Sequence, residues 1–140
     1  MSQPSKIVNL KVRLPDSTTR ELTVERSVGS PSWLAFRDFD GTLRKFEAVD
    51  LFEALIAMRQ ELEGRGCRLL CAGARIDVWP SGMSRSMGQA RKAFIVRPGK
   101  PAGMESMVDI FDYAEPELVG TIEQQRAHFQ EWRDSWIKRP

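Results

Sequence analysis

The chain has 140 residues, 41% of them hydrophobic and 29% charged, enough for a single domain over residues 1–140 whose core needs neither metal nor disulfide staples. A net charge of +2 is too small to argue by itself for nucleic acid. No apolar run approaches the ~20 residues of a membrane span, and the first ten residues lack the apolar stretch and cleavage site of a signal peptide, so a cytoplasmic location is expected.

Residues 6–14 alternate, with Val8, Leu10, Val12 and Leu14 on one face and Asn9, Lys11 and Arg13 on the other. Pro15, Asp16 and Ser17 are turn formers, and residues 20–28 alternate again through Leu22 and Val24, ending at Arg26 or Val28. The two strands should pair as a hairpin. Residues 33–39 form an aromatic-rich third strand, Asp40-Gly41 a tight turn, and residues 42–46 a returning fourth strand. Four strands on short turns predict an antiparallel meander.

Asp50 is a good N-cap with Glu53 three residues on, the pattern of a capping box. Leu51, Leu55, Met58 and Leu62 follow at helical spacing, with Glu53, Arg59, Gln60 and Glu63 assigned to the opposite face; Gly64 and Gly66 end the helix. The apolar run 67–72 reads as a strand buried on both faces, as in α/β sheets. A loop over residues 73–91 holds one short helical turn near 84–90, and residues 92–97 return as a strand. Residues 107–111 read as a short strand or as a helical turn begun by Ser106. Residues 118–122 are ambiguous between strand and helix start. Thr121 and Gln124 form a second capping box, opening a helix over about 122–136 with the stripe Ile122, Phe129, Trp132 and Trp136, interrupted by the polar Gln125. The predicted class is therefore α/β or α+β: an antiparallel N-terminal meander continuing into a mixed sheet of five to seven strands, with two main helices packed on it.

Charge is uneven along the chain. Residues 65–100 hold eight Lys/Arg and one acid, a local net of +7; residues 101–123 hold six acids and no base, a local net of −6. Either the two segments neutralise each other within the fold or they form charged surfaces. The two cysteines, Cys67 and Cys71, stand about 13 Å apart if that run is a strand at ~3.3 Å per residue. That is beyond the roughly 7 Å reach of a disulfide, so reduced, buried cysteines are expected.

The familiar catalytic templates do not fit. Gly82-Met83-Ser84-Arg85-Ser86 begins like a nucleophile elbow but lacks the last glycine that allows the sharp turn. His128 is the only histidine, and nothing in its spacing brings it beside Ser81, Ser84 or Ser86. Two Cys and one His do not fill a four-ligand zinc site without carboxylates. Neither phosphate-loop pattern is present. No catalytic residue, metal or cofactor is assigned. The candidate binding residues lie in and after the loop. Arg75, Arg85, Arg91 and Lys92 could surround an anion with backbone N–H groups near Gly82 and Gly88, or pair with acids such as Asp77, Asp109 and Asp112. Met83 and Met87, with Trp79, form either a small core under the loop or an adaptable binding surface, and Ser81 is a further candidate for contact with a partner or an anion. Asp109 and Asp112 open an acidic segment suited to a basic partner.

The segments LLCAGAR (69–75), WPSGM (79–83), RKA (91–93) and VDIFD (108–112), with DLFEAL (50–55) and EQQRAHFQEW (123–132), resemble a small, poorly characterised bacterial family similar in size to the immunity proteins of toxin–immunity loci. The resemblance spans residues 50–132 and leaves the N-terminal hairpins outside. It implies a non-enzymatic interaction protein, an immunity-type inhibitor of a cognate toxin or partner, and it implies no catalytic residue. Two other readings stay open: a small-ligand or anion-binding domain, enzymatic or not, using the 73–92 loop, and a nucleic-acid binder using Trp79 and Phe94 among the basic residues.

Overall fold

A computed structural model of the chain describes residues 3–137, with side chains through residue 135. The meander forms as expected: β1 (Ser5–Arg13), β2 (Thr19–Ser27), β3 (Ser32–Arg37) and β4 (Leu43–Ala48). The register places Val8 opposite Val24 and Leu10 opposite Leu22, so alternate residues of β1 and β2 build one apolar face. The β3–β4 turn takes three residues rather than two: Asp38 N donates to Thr42 O, and Gly41 N donates to Asp38 O.

Helix α1 (Leu51–Glu63) has the predicted bounds, and Asp50 caps it by accepting from Glu53 N at 2.8 Å. Its end is a Schellman motif. Gly66 N donates to Glu63 O and Cys67 N to Leu62 O, with Gly66 at φ +79° and the buried pair Leu62 and Cys67 alongside. The helix lays Leu51, Phe52, Leu55, Met58 and Leu62 against the sheet. One expectation fails here: Arg59 does not face solvent. It is 1% exposed, the largest fully buried side chain among the described residues.

The run 67–72 also departs from its reading. Only Arg68–Leu69 are strand (β5), antiparallel to β1 at the edge of a sheet ordered β4-β3-β2-β1-β5. The run is covered on both sides, by β1 and by the Cys71–Tyr113 bridge. A 3₁₀ turn, Ala72–Ala74, then leads it away. Gly73 sets that path, since a Cβ there would lie 2.5 Å from Leu55 Cδ2 and 3.1 Å from Ile110 O.

The fold is α+β, and the continuation beyond β5 is a second antiparallel sheet rather than an extension of the first. It is ordered β6-β7-β8, from Val78–Trp79, Lys92–Ile95 and Met107–Asp109. Between β6 and β7 lies the short helix α2 (Gly82–Met87), and 3₁₀ turns occupy Met104–Ser106 and Pro116–Leu118. Helix α3 (Ile122–Ile137) opens on the expected box: Gln124 N donates to Thr121 Oγ1 at 3.1 Å, and Thr121 N to Gln124 Oε1 at 2.8 Å. The Trp136 side chain, assigned to its stripe, lies outside the described residues. One apolar core joins both sheets and α1. No helix among the described residues is long and apolar enough to cross a membrane.

Asp38 closes the open end of the meander. Its buried carboxylate accepts both Arg65 Nη groups, at 2.8 and 2.7 Å, and Arg44 Nε at 2.7 Å. Hydrogen bonds from Arg65, with Arg44 adding, hold its pKa well below the usual carboxylate range against the opposing effect of burial. A group held below its unfolded value stabilises above the ordinary carboxylate range, and that contribution is lost as pH falls through it. Asp38→Asn should therefore lower the urea midpoint at neutral pH, and the gap to the wild type should shrink between about pH 5 and about pH 2. Urea denaturation of both chains across that window checks it.

Candidate interaction surface

The register of the small sheet creates the most distinctive surface of the molecule. Trp79 pairs with Phe94, and Phe94 pairs with Met107. Opposed residues share a face, so these three form one row across β6, β7 and β8. On the other face Val78 and Ala93 are fully buried in the core. The outer row is only partly covered. Phe129 of α3 stacks on Trp79 with centroids 4.5 Å apart and 15° between the rings, and Phe52 of α1 meets Trp79 edge-on at 5.2 Å. Trp132 lies 6.0 Å beyond Phe129.

Helix α3 is held against the turn segment that follows β7 by three polar contacts. His128 Nε2 meets Val96 O at 2.7 Å, Trp132 Nε1 donates to Lys100 O at 2.8 Å, and Gly99 N donates to Ser135 Oγ at 2.9 Å. Between these contacts and the sheet an apolar groove stays open. Two adjoining hollows, about 440 and about 290 Å³, share Ser81, Phe94, Ala102 and Trp132 as walls. Their lining is mostly apolar, with Pro101 at one end and Trp79 at the other. Arg97 and Lys100 are exposed just before Pro101, and neither is paired with a carboxylate among the described residues.

Helix α2 flanks the groove at Gly82. Ser81 is its N-cap, accepting from Ser84 N at 3.0 Å, and the Ser84 hydroxyl donates to Lys92 O. Arg85 fixes α2 to α1: its Nη1 sits 2.8 Å from Asp50 Oδ2 and 3.3 Å from Glu53 Oε2, with the guanidinium over the Phe52 and Trp79 rings. Asp50 thus caps α1 with one oxygen and anchors α2 with the other. Met83 and Met87, four residues apart and so on one face of α2, are 72% and 82% exposed. Of the two readings of these methionines, the outward one holds.

The candidate residues therefore separate. Trp79 and Ser81 line the groove, and Met83 follows Gly82 on its border. Arg75 is locked to Asp77 through two hydrogen bonds, 2.8 and 2.9 Å. Arg91 pairs with Asp109, which also takes Lys92 Nζ at 3.6 Å, and Asp112 Oδ2 accepts from Asp109 N at 3.3 Å. The loop's guanidinium groups are thus engaged by the chain's own carboxylates. Among the described residues no group of three or more His, Cys, Asp and Glu could hold a metal ion. The groove also includes Phe129, Trp132, Pro101 and Ala102, which sequence reasoning did not single out for binding, and Phe94, which it set beside Trp79 only as an aromatic for nucleic acid.

Comparison with protein-family models finds no match, and no curated protein shows significant similarity to the chain.

Removing the Arg85 anchor should cost about 1–2 kcal/mol, the range of a charge-assisted hydrogen bond at a partly exposed site. In urea denaturation, Arg85→Ala and Asp50→Asn should lose similar amounts, because Asn retains the cap and removes only the ion pair. Asp50→Ala should lose roughly 1 kcal/mol more.

Proposed function

We propose that the chain is a non-enzymatic, cytoplasmic protein-interaction domain that receives an apolar side chain of a partner protein in the groove walled by Trp79, Phe94 and Trp132. The observation that carries this reading is the aromatic row left open on the outer face of the small sheet. Contiguous apolar surface of this kind, bordered by adaptable methionines and aromatic anchors, is costly in water and marks contact sites. Arg97 and Lys100, exposed just before Pro101 and without a carboxylate partner among the described residues, select a partner whose apolar anchor is flanked by acidic residues. Following the family resemblance, we place the domain among immunity-type inhibitors, which neutralise a cognate toxin by occupying its surface.

Several contacts favour a binding role over catalysis. The only histidine is held at the Val96 carbonyl by α3 packing. Both cysteines are free and buried, and burial pushes the Cys71 thiol up to about 11, far from the reactive thiolate range. Free cysteines of this kind also suit a reducing compartment. A small-ligand role is the second reading. It draws on the groove's volume of about 440 Å³, which falls in the range of ligand pockets.

The test places a photo-crosslinking residue at Ala102, in the groove, and in a second chain at Val49, which is 87% exposed and lines neither hollow of the groove. In its own cells the Ala102 position should capture one protein that the Val49 position does not. That protein, purified, should bind the wild-type chain, lose at least about tenfold in affinity to Phe94→Glu, and bind Val49→Lys unchanged. It should arrest growth when expressed alone and not when this chain is present. Equal binding to a folded Phe94→Glu chain would overturn the groove as the contact surface, and a captured protein without toxicity would overturn the immunity assignment.

A further inference from the structure

A second hollow, about 290 Å³, opens where the two sheets meet, and its chemistry is the reverse of the groove's. Val8 and Asn9 of β1 and Arg26 of β2 form one wall; Arg91, Asp109 and Asp112 form the other. Alternation along β2 sets Leu22, Val24 and Arg26 in one row. Leu22 and Val24 are buried in the core, and the row ends on a half-buried arginine.

Arg26 lacks the partner that the other inward-turned arginines have. Its side-chain contact is a 3.3 Å hydrogen bond from Nη1 to the carbonyl of Ser27, and no carboxylate among the described residues pairs with it. The nearby carboxylates are committed elsewhere. Asp109 receives Arg91 and Lys92, and its Oδ1 accepts from Phe111 N at 3.0 Å; Asp112 accepts from Asp109 N. Arg26 lines the hollow, and of its five guanidinium donors only one at Nη1 has an acceptor among the described residues. Burial, and then the like charge of Arg91, pull Arg26 down from the usual arginine range, with Asp109 opposing. It remains a cation at neutral pH. Two cations converging on a cavity from different sheets repel, and an anion between them relieves that repulsion.

We propose that this hollow is a carboxylate-binding subsite in which Arg26 and Arg91 together receive one singly charged carboxylate. The guanidinium fork matches the planar, two-oxygen carboxylate. Asp109 and Asp112, on the wall beside Arg91, set the charge class, because they repel a doubly charged phosphoryl group more strongly than a single negative charge. Val8 and Phe111 supply apolar wall for the carbon to which the carboxylate is attached. The subsite stands independently of the groove and of the immunity reading.

The arginine Nε–H resonances of the full chain, followed while sodium acetate is added at constant ionic strength, test this. The Arg26 resonance should move saturably with acetate, more weakly with inorganic phosphate, and not with chloride. Arg26→Gln should weaken the acetate response, read at the Arg91 resonance, by at least about tenfold. Arg26→Lys, which keeps the charge but loses the fork, should fall between, and Arg97→Gln should leave it unchanged. A shift that stays linear throughout, or one that persists in a folded Arg26→Gln chain, would overturn the subsite. Tighter binding of phosphate than acetate would overturn its assignment to carboxylates.

Discussion

The guanidinium of Arg59, fully buried inside the core, is the interaction on which the rest of the arrangement depends. Removing such a group from water costs several kcal/mol, which good acceptor geometry must offset. Acceptors meet four of its five N–H donors: Nη1 reaches Gln125 Oε1 at 2.6 Å and Gly73 O at 3.3 Å, Nη2 reaches Gly120 O at 3.1 Å, and Nε pairs with Glu63 at 3.3 Å. Gln125, itself fully buried, turns its amide nitrogen to the carbonyls of Gly73, Arg75 and Val78 at 2.8–3.0 Å. The first two of those carbonyls lie in the irregular segment between β5 and β6, where ladder partners are scarce and every buried acceptor needs one, and the third opens β6. Two side chains thus tie α1, that segment, the turn before α3 and α3 itself into one body.

The groove follows from this tie. Val78 accepts from Gln125, and its neighbour Trp79 is carried to the outer face of the small sheet. Four residues after Gln125, on the same side of α3, stands Phe129, which stacks on that Trp. Gln125 therefore sets both halves of the aromatic contact, and the groove beside it keeps its shape because the hub behind it cannot slide without leaving charge and carbonyls unpaired. The charged loop plays a different part from the one its composition suggests. Much of its +7 is neutralised within the fold: Arg65 serves Asp38, Arg75 serves Asp77, Arg85 serves the start of α1, and Arg91 serves Asp109. What reaches the surface there is the aromatic row and the two methionines, with Arg97 and Lys100 exposed beside it.

The sequence was most legible where local rules act alone. The strict alternation of β1 and β2, the Asp50 cap, the Schellman end at Gly66 and the Thr121–Gln124 box each depend on residues a few positions apart, and each forms as read. The separate small sheet was not legible: residues 92–97 read as a strand and 107–111 as a strand or helical turn, but β6 is two residues long, carries no periodicity and owes its place to a distant partner, as Trp79 does to Phe94. The hub was readable but contrary to expectation. Arg59 lies four residues after Leu55 and three before Leu62, inside the apolar stripe of α1, just as Gln125 lies between Ile122 and Phe129 in that of α3. A polar residue in each of two packed stripes is a signal that they meet. Arginine's usual place in water hid it. Of the candidate site, Trp79, Ser81 and Met83 were within reach because they cluster in the chain, whereas Phe94, Trp132 and Arg26 converge only through folding.

The central claim, that Arg59 and Gln125 act as one unit holding the helices and the groove together, is tested most directly by a double-mutant cycle with Arg59→Met and Gln125→Leu, read by urea denaturation. Coupled buried groups should show an interaction energy of about 1.5 kcal/mol or more, each single change leaving the other's polar atoms unpaired and the double change costing less than the sum. Additivity within about 0.5 kcal/mol would contradict the account, because it would mean that the two side chains contribute independently.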